Sequence, residues 1–290
     1  MFKKFIIMFT AVAALAVSAA VNVQLIELKP GDEAAKKAYF ASKCRIWGTK
    51  GYKPAANVYN ALLIMSNDKV YYAFHLRGKI ADGKTTNVEV GMIKPSHFNW
   101  YAGNFFNITS AKKNLNAGNF SIKDIKSGDV GSAVLEYANG PFNGTVTLTL
   151  ADNDDKIGFV YSPADKKARY MIQLTAYPGS YGDAKTRKRI ICTNQGKVEG
   201  NVYKTDGKAY YAIFADEYYD REQNRGDGCC AFLFNPKQVI GGSTMRVGYA
   251  CSAYLYMNPG VDATFIFWDF KGQSLKQAQE YMSKLDIKFE

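Results

Sequence analysis

Five carboxylates, Asp216, Glu217, Asp220, Glu222 and Asp227, fall within twelve consecutive residues. A pair of carboxyl groups at a set separation is what glycoside hydrolysis needs, one as acid and one as nucleophile or base. Nothing in this stretch fixes two of the five at such a distance, and an acidic segment also serves simply to solvate a loop. No catalytic residue is therefore assigned. The same segment holds Tyr218 and Tyr219 beside Arg221 and Arg225. Tyrosine offers an apolar ring with a polar tip, which suits stacking on a sugar, and the guanidinium groups would favour an acidic one. These four residues are the expected ligand contacts. Trp100 and Tyr101 form a second aromatic pair, within an Asn- and Gly-interleaved stretch (97–108) read as loop-like. Trp268 stands at a strand end. The competing role for all these rings is core packing.

Asp152, Asp154 and Asp155, in the run DNDD, supply the hard oxygen ligands that calcium prefers. The spacing lacks the twelve-residue EF-hand loop, and an Asx turn would use the same residues without an ion. Calcium is the one cofactor these residues admit. His75 and His97 are the only histidines, and neither neighbours a Ser, Cys or Asp in a triad-like arrangement. The five cysteines, Cys44, Cys192, Cys229, Cys230 and Cys251, are an odd number. With no C-x-x-C pair, they do not suggest zinc. Cys230 and Cys251 lie nearly symmetrically about Gly241-Gly242. If a turn falls there, a Cys230–Cys251 bridge is expected, with Cys229–Cys251 the neighbouring option. Buried thiols acting as small hydrophobes are the alternative.

These residues need elements to hold them. Phe2-Lys3-Lys4, an apolar run from Phe5 to Val17 and small residues near Ala19 read as an export signal over residues 1–20. The mature chain is expected to be periplasmic, on the cell surface or extracellular, with no transmembrane segment. The net charge of +11 draws such a protein to anionic surfaces, and export argues against nucleic acid as the primary partner. Twenty Tyr and eighteen Phe favour strands. Short apolar runs punctuated by Gly, Asn and Asp read as an all-β sandwich. Gly144 to Leu150 (GTVTLTL) alternates as a strand with one wet face, and Ala209 to Ala215 is apolar on both faces. Met245 to Met257 reads as one long strand bending at Ser252. Pro30 to Phe40 begins with a helix-start signature at Gly31-Asp32. Ser274 caps a closing helix, Leu275 to Leu285, with Leu275, Ala278, Tyr281, Met282 and Leu285 near one face.

Two stretches look like copies. Lys69-Val70-Tyr71-Tyr72-Ala73 answers Lys208-Ala209-Tyr210-Tyr211-Ala212, with Phe74 and Phe214 shifted by one. Asn57-Val58-Tyr59 answers Asn201-Val202-Tyr203, and Val88 to Pro95 answers Cys230 to Pro236. In the place of the second copy's acidic loop, the first has Arg77 to Thr86 (RGKIADGKTT), with no aromatic residue. A Gly/Pro/Ser-rich segment, Pro178 to Lys188, separates the copies. The expected layout is two tandem jelly-roll-like β-sandwich repeats, 21–180 and 181–290, with a short C-terminal helix. One large continuous sandwich is the alternative.

The second copy resembles the central strands of family-nine-type carbohydrate-binding modules. The resemblance rests on Tyr210 to Asp216, then Gly226-Asp227-Gly228, then Phe232-Leu233-Phe234-Asn235-Pro236. It covers about 30 residues. That family's opening Asp-Gly followed by Trp is missing, and Trp47 stands alone. The resemblance implies a β-sandwich that binds saccharides, in some members with a structural calcium ion. The functional expectation is an exported, non-catalytic carbohydrate-binding protein. The alternatives are a structural or adhesive surface protein, and a glycoside hydrolase using the Asp216–Asp227 loop.

Overall fold

The structure is a computed structural model that describes residues 21–41, 55–94, 99–110, 113–139, 142–178, 189–199, 202–205, 208–216, 229–247 and 250–285. In chain order the first half runs β1 (Asn22–Glu27), α1 (Glu33–Ala41), β2 (Val58–Ser66), β3 (Tyr71–Ala81), β4 (Lys84–Lys94), β5 (Asn99–Ser110), β6 (Lys113–Asn114), β7 (Asn119–Lys126), β8 (Val130–Asn139), β9 (Phe142–Ala151), β10 (Ile157–Pro163) and β11 (Met171–Pro178). The second half runs β12 (Arg189–Thr193), β13 (Gly196–Lys197), β14 (Val202–Thr205), β15 (Tyr211–Asp216), β16 (Cys230–Phe234), β17 (Val239–Val247), β18 (Ala250–Met257), β19 (Ala263–Asp269) and α2 (Leu275–Lys284). The all-β expectation holds, with every ladder antiparallel and a short helix near the C-terminus. The export signal expected over 1–20 lies outside the described residues. No helix among the described residues is long and apolar enough to cross a membrane.

The pairings trace two long ladders. The first is β1-β2-β3-β4-β5-β11-β18-β17-β14, with β6 beside β5. The second is β7-β8-β9-β10-β19-β16-β15-β12-β13. Thr86 with Asn119 joins β4 to β7, and a bridge between Val21 and Gly128 links the two ladders again at the β7–β8 turn. The ladders pack face to face. Phe106 of the first stacks on Phe265 of the second with centroids 5.5 Å apart, and Phe74 meets Phe159 edge-on at 6.0 Å. One apolar core runs from Val21 to Phe267 between the layers. Both layers continue across residue 180: β11 lies between β5 and β18, and β10 between β9 and β19. This is the geometry of one continuous sandwich.

Each outer face is covered in part by a helix. The outer residues of β1 and β2, Ile26, Leu62 and Ile64, join Ala73 beneath Ala35 and Ala38 of α1. Asp32 Oδ1 accepts from the Ala35 N–H at 2.8 Å, as the helix-start signature requires. Ile213, Ala215, Leu233 and Trp268 lie under Ala278 and Met282 of α2. Ser274 caps α2 through a reciprocal capping box with Gln277. Because both faces of β15 are covered, all six of its residues are buried, as its apolar sequence implies. β9 buries Val146, Leu148 and Leu150 and leaves its threonines half-exposed, matching its clean alternation.

Three local readings are corrected. The aromatic stretch 97–108, read as loop-like, contains most of β5, a central strand between β4 and β11. Register shifts on both of its ladders account for the broken alternation. Met245 to Met257 is a hairpin of β17 and β18 and not one bent strand, since Val247 pairs with Ala250. Arg77 to Thr86 is no loop: β3 and β4 meet across Asp82-Gly83, with φ of 50° and 69°. Two left-handed residues in a two-residue hairpin suit Asp-Gly.

Candidate functional site

The residues first expected to bind ligand fall mostly elsewhere than the described structure. Tyr218, Tyr219, Arg221 and Arg225 lie outside the described residues. Trp100 and Tyr101 sit on β5, where their backbones pair with Tyr177 and Met92. The root of the acidic loop is visible. Asp216 Oδ2 accepts from Arg189 Nη1 at 2.9 Å, with both side chains almost fully buried. Arg246 Nη1 donates to the Arg189 carbonyl at 3.0 Å. Asp216, the first of the five carboxylates, thus closes the end of the sandwich as half of a buried ion pair.

Asp152, Asp154 and Asp155, the calcium candidates, each have protein partners. Asp154 Oδ1 takes the Lys156 N–H at 3.0 Å and its ammonium at 2.5 Å. Asp155 Oδ2 accepts from Trp268 Nε1 at 3.0 Å. Asp152 Oδ2 takes the Asn153 amide at 3.1 Å, with Asn153 left-handed at φ 60°. The run is a turn that ties β10 to the strand end at Trp268, where Lys156 also lies 4.8 Å over the indole. Among the described residues no three metal-binding side chains converge.

The turn from which the Cys230–Cys251 bridge was inferred does not form. Gly241 and Gly242 lie within β17, so no turn falls there. Cys230 is on β16, between Phe214 and Asp269, while Cys251 is on β18, between Ala176 and Arg246. The two strands belong to different layers. No disulfide joins the cysteines among the described residues, and burial pushes the Cys251 thiol up to about 12. His75 faces Asn60 Oδ1 at 3.3 Å, and burial, then Arg77, holds its imidazole down at about 4.

A different site emerges where the layers part. β7 pairs with β4 at Asn119, and just past its far end Gly128 bridges Val21 and Ser127 Oγ accepts from the Val23 N–H, so the edge of the sandwich opens between these two ties. The result is a solvent-open cleft of about 570 Å³, lined by Leu25, Glu27, Tyr59, Thr85 and residues 120–125. On β1 the face that buries Val21 and Val23 continues outward as Leu25 and Glu27. On β7, Phe120 and Ile122 face the core, and a register shift between Ile122 and Asp124 resets the phase so that Ile125 faces it too. A bulge of this kind turns extra side chains toward one face, here at the cleft wall.

Apolar and polar groups are interleaved in the cleft. Tyr59 and Phe120 approach from opposite layers, with centroids 5.8 Å apart and planes at 53°. The Tyr59 hydroxyl donates to Glu27 Oε1 at 3.3 Å, and Lys29 Nζ sits 3.1 Å from Glu27 Oε2. Burial, and after it the Glu27 carboxylate, raises the Tyr59 phenol well above its ordinary range, so it is a neutral donor. Asp124 Oδ2 lies 2.9 Å from Lys126 Nζ. Lys123 Nζ lies 2.6 Å from Glu136 Oε1, and Ser121 Oγ donates to Glu136 Oε2 at 3.2 Å. Sequence reasoning passed over every one of these residues. The available signal was a change of period in FSIKDI (120–125), where apolar spacing goes from two to three.

No family model matches the chain, and no curated protein is similar to it in sequence. Among solved structures it is similar to heparinase III, at 10% identity and a TM-score of 0.42 over 75% of this chain and 36% of that one. It is also similar to the GH36 alpha-galactosidase AgaA from Geobacillus stearothermophilus, at 7% and 0.39 over 73% and 41%. A third likeness is to the Slr1438 protein from Synechocystis sp., at 9% and 0.41 over 79% and 100%. The chain spans well under half the length of the two enzymes. At these TM-scores the likenesses carry nothing about substrate or mechanism.

Proposed function

We propose that the protein is an exported saccharide-binding protein that holds its ligand in the β1–β2–β7 cleft without cleaving it. The observation that carries this reading is the composition of the cleft. Two aromatic rings from opposite layers border it, with carboxylate, hydroxyl and ammonium groups within the same space. Sites for small ligands are concave and mostly apolar, with a few placed polar groups. A sugar has the complementary surface, apolar on its ring faces and hydroxylated around its rim. Both cleft carboxylates are engaged by cations, Glu27 by Lys29 and Asp124 by Lys126. The loop with Tyr218, Tyr219, Arg221 and Arg225 is the rival position, and an acidic glycan its expected occupant.

Glycan-array binding by the wild type and by a folded Tyr59→Ala variant tests this reading. Removing a half-buried aromatic platform should lower affinity at least about tenfold, since stacked rings dominate such sites. Silence of the wild type, or equal binding by the variant, contradicts it. New reducing ends after incubation with a bound glycan would contradict the non-catalytic part alone.

A second reading, as an adhesive or structural surface protein, has its own observation. Ile240 and Tyr256 are exposed side by side on β17 and β18, at 59% and 51%. Exposed apolar patches mark contact surfaces. Elution as a large assembly, dispersed by Tyr256→Ser, would favour it.

A further inference from the structure

Behind the cleft wall lies a hydroxyl with nothing to bond. Tyr137 on β8 is fully buried, and its phenolic oxygen has no hydrogen-bond partner among the described residues. Leaving a buried polar group unsatisfied is costly, and in native structures such groups call for an explanation. Position supplies one. Tyr137 is the cross-strand partner of Phe120, and the two rings meet at 5.2 Å and 60°. Phe120 in turn faces Tyr59 across the cleft. The Phe120 ring thus links the Tyr137 ring to the Tyr59 ring in this chain of contacts. Burial, and after it the Tyr59 phenol, raises Tyr137 far above the ordinary tyrosine range, so Tyr137 is a neutral donor.

The Phe120 ring borders the open cleft, and its strand pairs regularly with β8 at that point. A change of side-chain rotamer moves such a ring without breaking any backbone pairing.

We propose that the Tyr137 hydroxyl is the inner hydrogen-bonding group of the cleft, reached by a hydroxyl of the bound sugar when the Phe120 ring turns aside. This rests on the saccharide reading above. It assigns Tyr137 a specificity role: a sugar with a hydroxyl at the inward position gains a bond, and a deoxy sugar does not.

The test uses isothermal titration of the whole protein with maltotriose, cellotriose and triacetylchitotriose, comparing the wild type with Tyr137→Phe. For whichever trisaccharide the wild type binds, the variant should bind roughly 3- to 10-fold more weakly, the worth of one neutral hydrogen bond. Without sugar, its melting temperature should equal or exceed that of the wild type, because the deleted hydroxyl served no partner in the fold. Unchanged affinity in the variant overturns the proposal. So does a melting temperature several degrees lower without sugar, which would show that the hydroxyl serves the fold. Silence of the wild type toward all three sugars contradicts the saccharide reading itself, and the proposal falls with it.

Discussion

Glu27 shows how a residue acquires a role from the strand that carries it. β1 buries Val21 and Val23 on its inner face, and that face leaves the core at Leu25 and Glu27. The carboxylate thus stands at the rim, near enough to the core to take the Tyr59 phenol and near enough to water to keep Lys29. His75 illustrates the opposite case, a titratable side chain packed away from any site. Its imidazole is held at about 4, below the ordinary 6.5 or so, chiefly because burial disfavours the charged form. The native state therefore favours the neutral ring. That contribution is fully present above pH 6.5 or so and is lost as the pH falls toward 4. It amounts to something on the order of 1–3 kcal/mol. Urea unfolding at pH 7.5 and pH 4 should show the wild type losing that much more stability than His75→Gln, which carries no titration. Equal losses would contradict the assignment. At this scale the sequence match between copies is also instructive. Aligning Tyr71-Tyr72 with Tyr210-Tyr211 sets the inward Tyr72 against the outward Tyr211. Aligning Phe74 with Phe214, both inward, keeps the faces and shifts the match by one residue. A one-residue slip turns every side chain of a strand over, so letters can agree where orientations do not.

Elements were legible where their period was clean. β9 alternates in sequence and in burial, β15 is apolar throughout and buried throughout, and α2 follows from Ser274 and its apolar face. They were obscured where ladders shift. β5 reads as a loop because bulges on both sides break its alternation, yet it occupies the middle of a layer. The expected turn at Gly241-Gly242 failed for a related reason. Those glycines adjoin a register shift inside β17, and glycine in a strand marks a bulge as readily as a turn. The disulfide inferred from that turn loses that support. The cleft was illegible on the same account. It depends on a bulge in β7, whose one sequence trace is the change of apolar period over 120–125, and on the bridging pair to β4, which has no signature in residue type. What the sequence did carry was the class of fold, the two helix caps and the strand that roots the acidic loop.

At the scale of the molecule, strand order joins the two halves of the chain. β11 bridges first-half and second-half strands in one layer, and β10 does so in the other. Aromatic contacts then tie the layers together, as in Phe105 with Phe232 at 5.8 Å and Tyr72 with Phe267 at 6.3 Å. A core shared in this way should melt as one. Thermal unfolding followed by far-UV circular dichroism and by tryptophan fluorescence should give coincident transitions, with a calorimetric enthalpy equal to the van't Hoff value. Two separated transitions would instead support independent repeats divided near residue 180. A single rigid sandwich also explains why the cleft lies at its parted edge. The layers are held by their aromatic core, and where β7 departs from the first layer a cleft opens between them.

The central claim is that this edge cleft is where a saccharide binds. The most direct measurement is a crystal structure of the protein with an oligosaccharide selected on the array. The account predicts a sugar ring in the cleft stacked against Tyr59, with a ring hydroxyl within hydrogen-bonding distance of the Glu27 carboxylate. A sugar seated on Tyr218 and Tyr219, with the β1–β2–β7 cleft holding none, would contradict it.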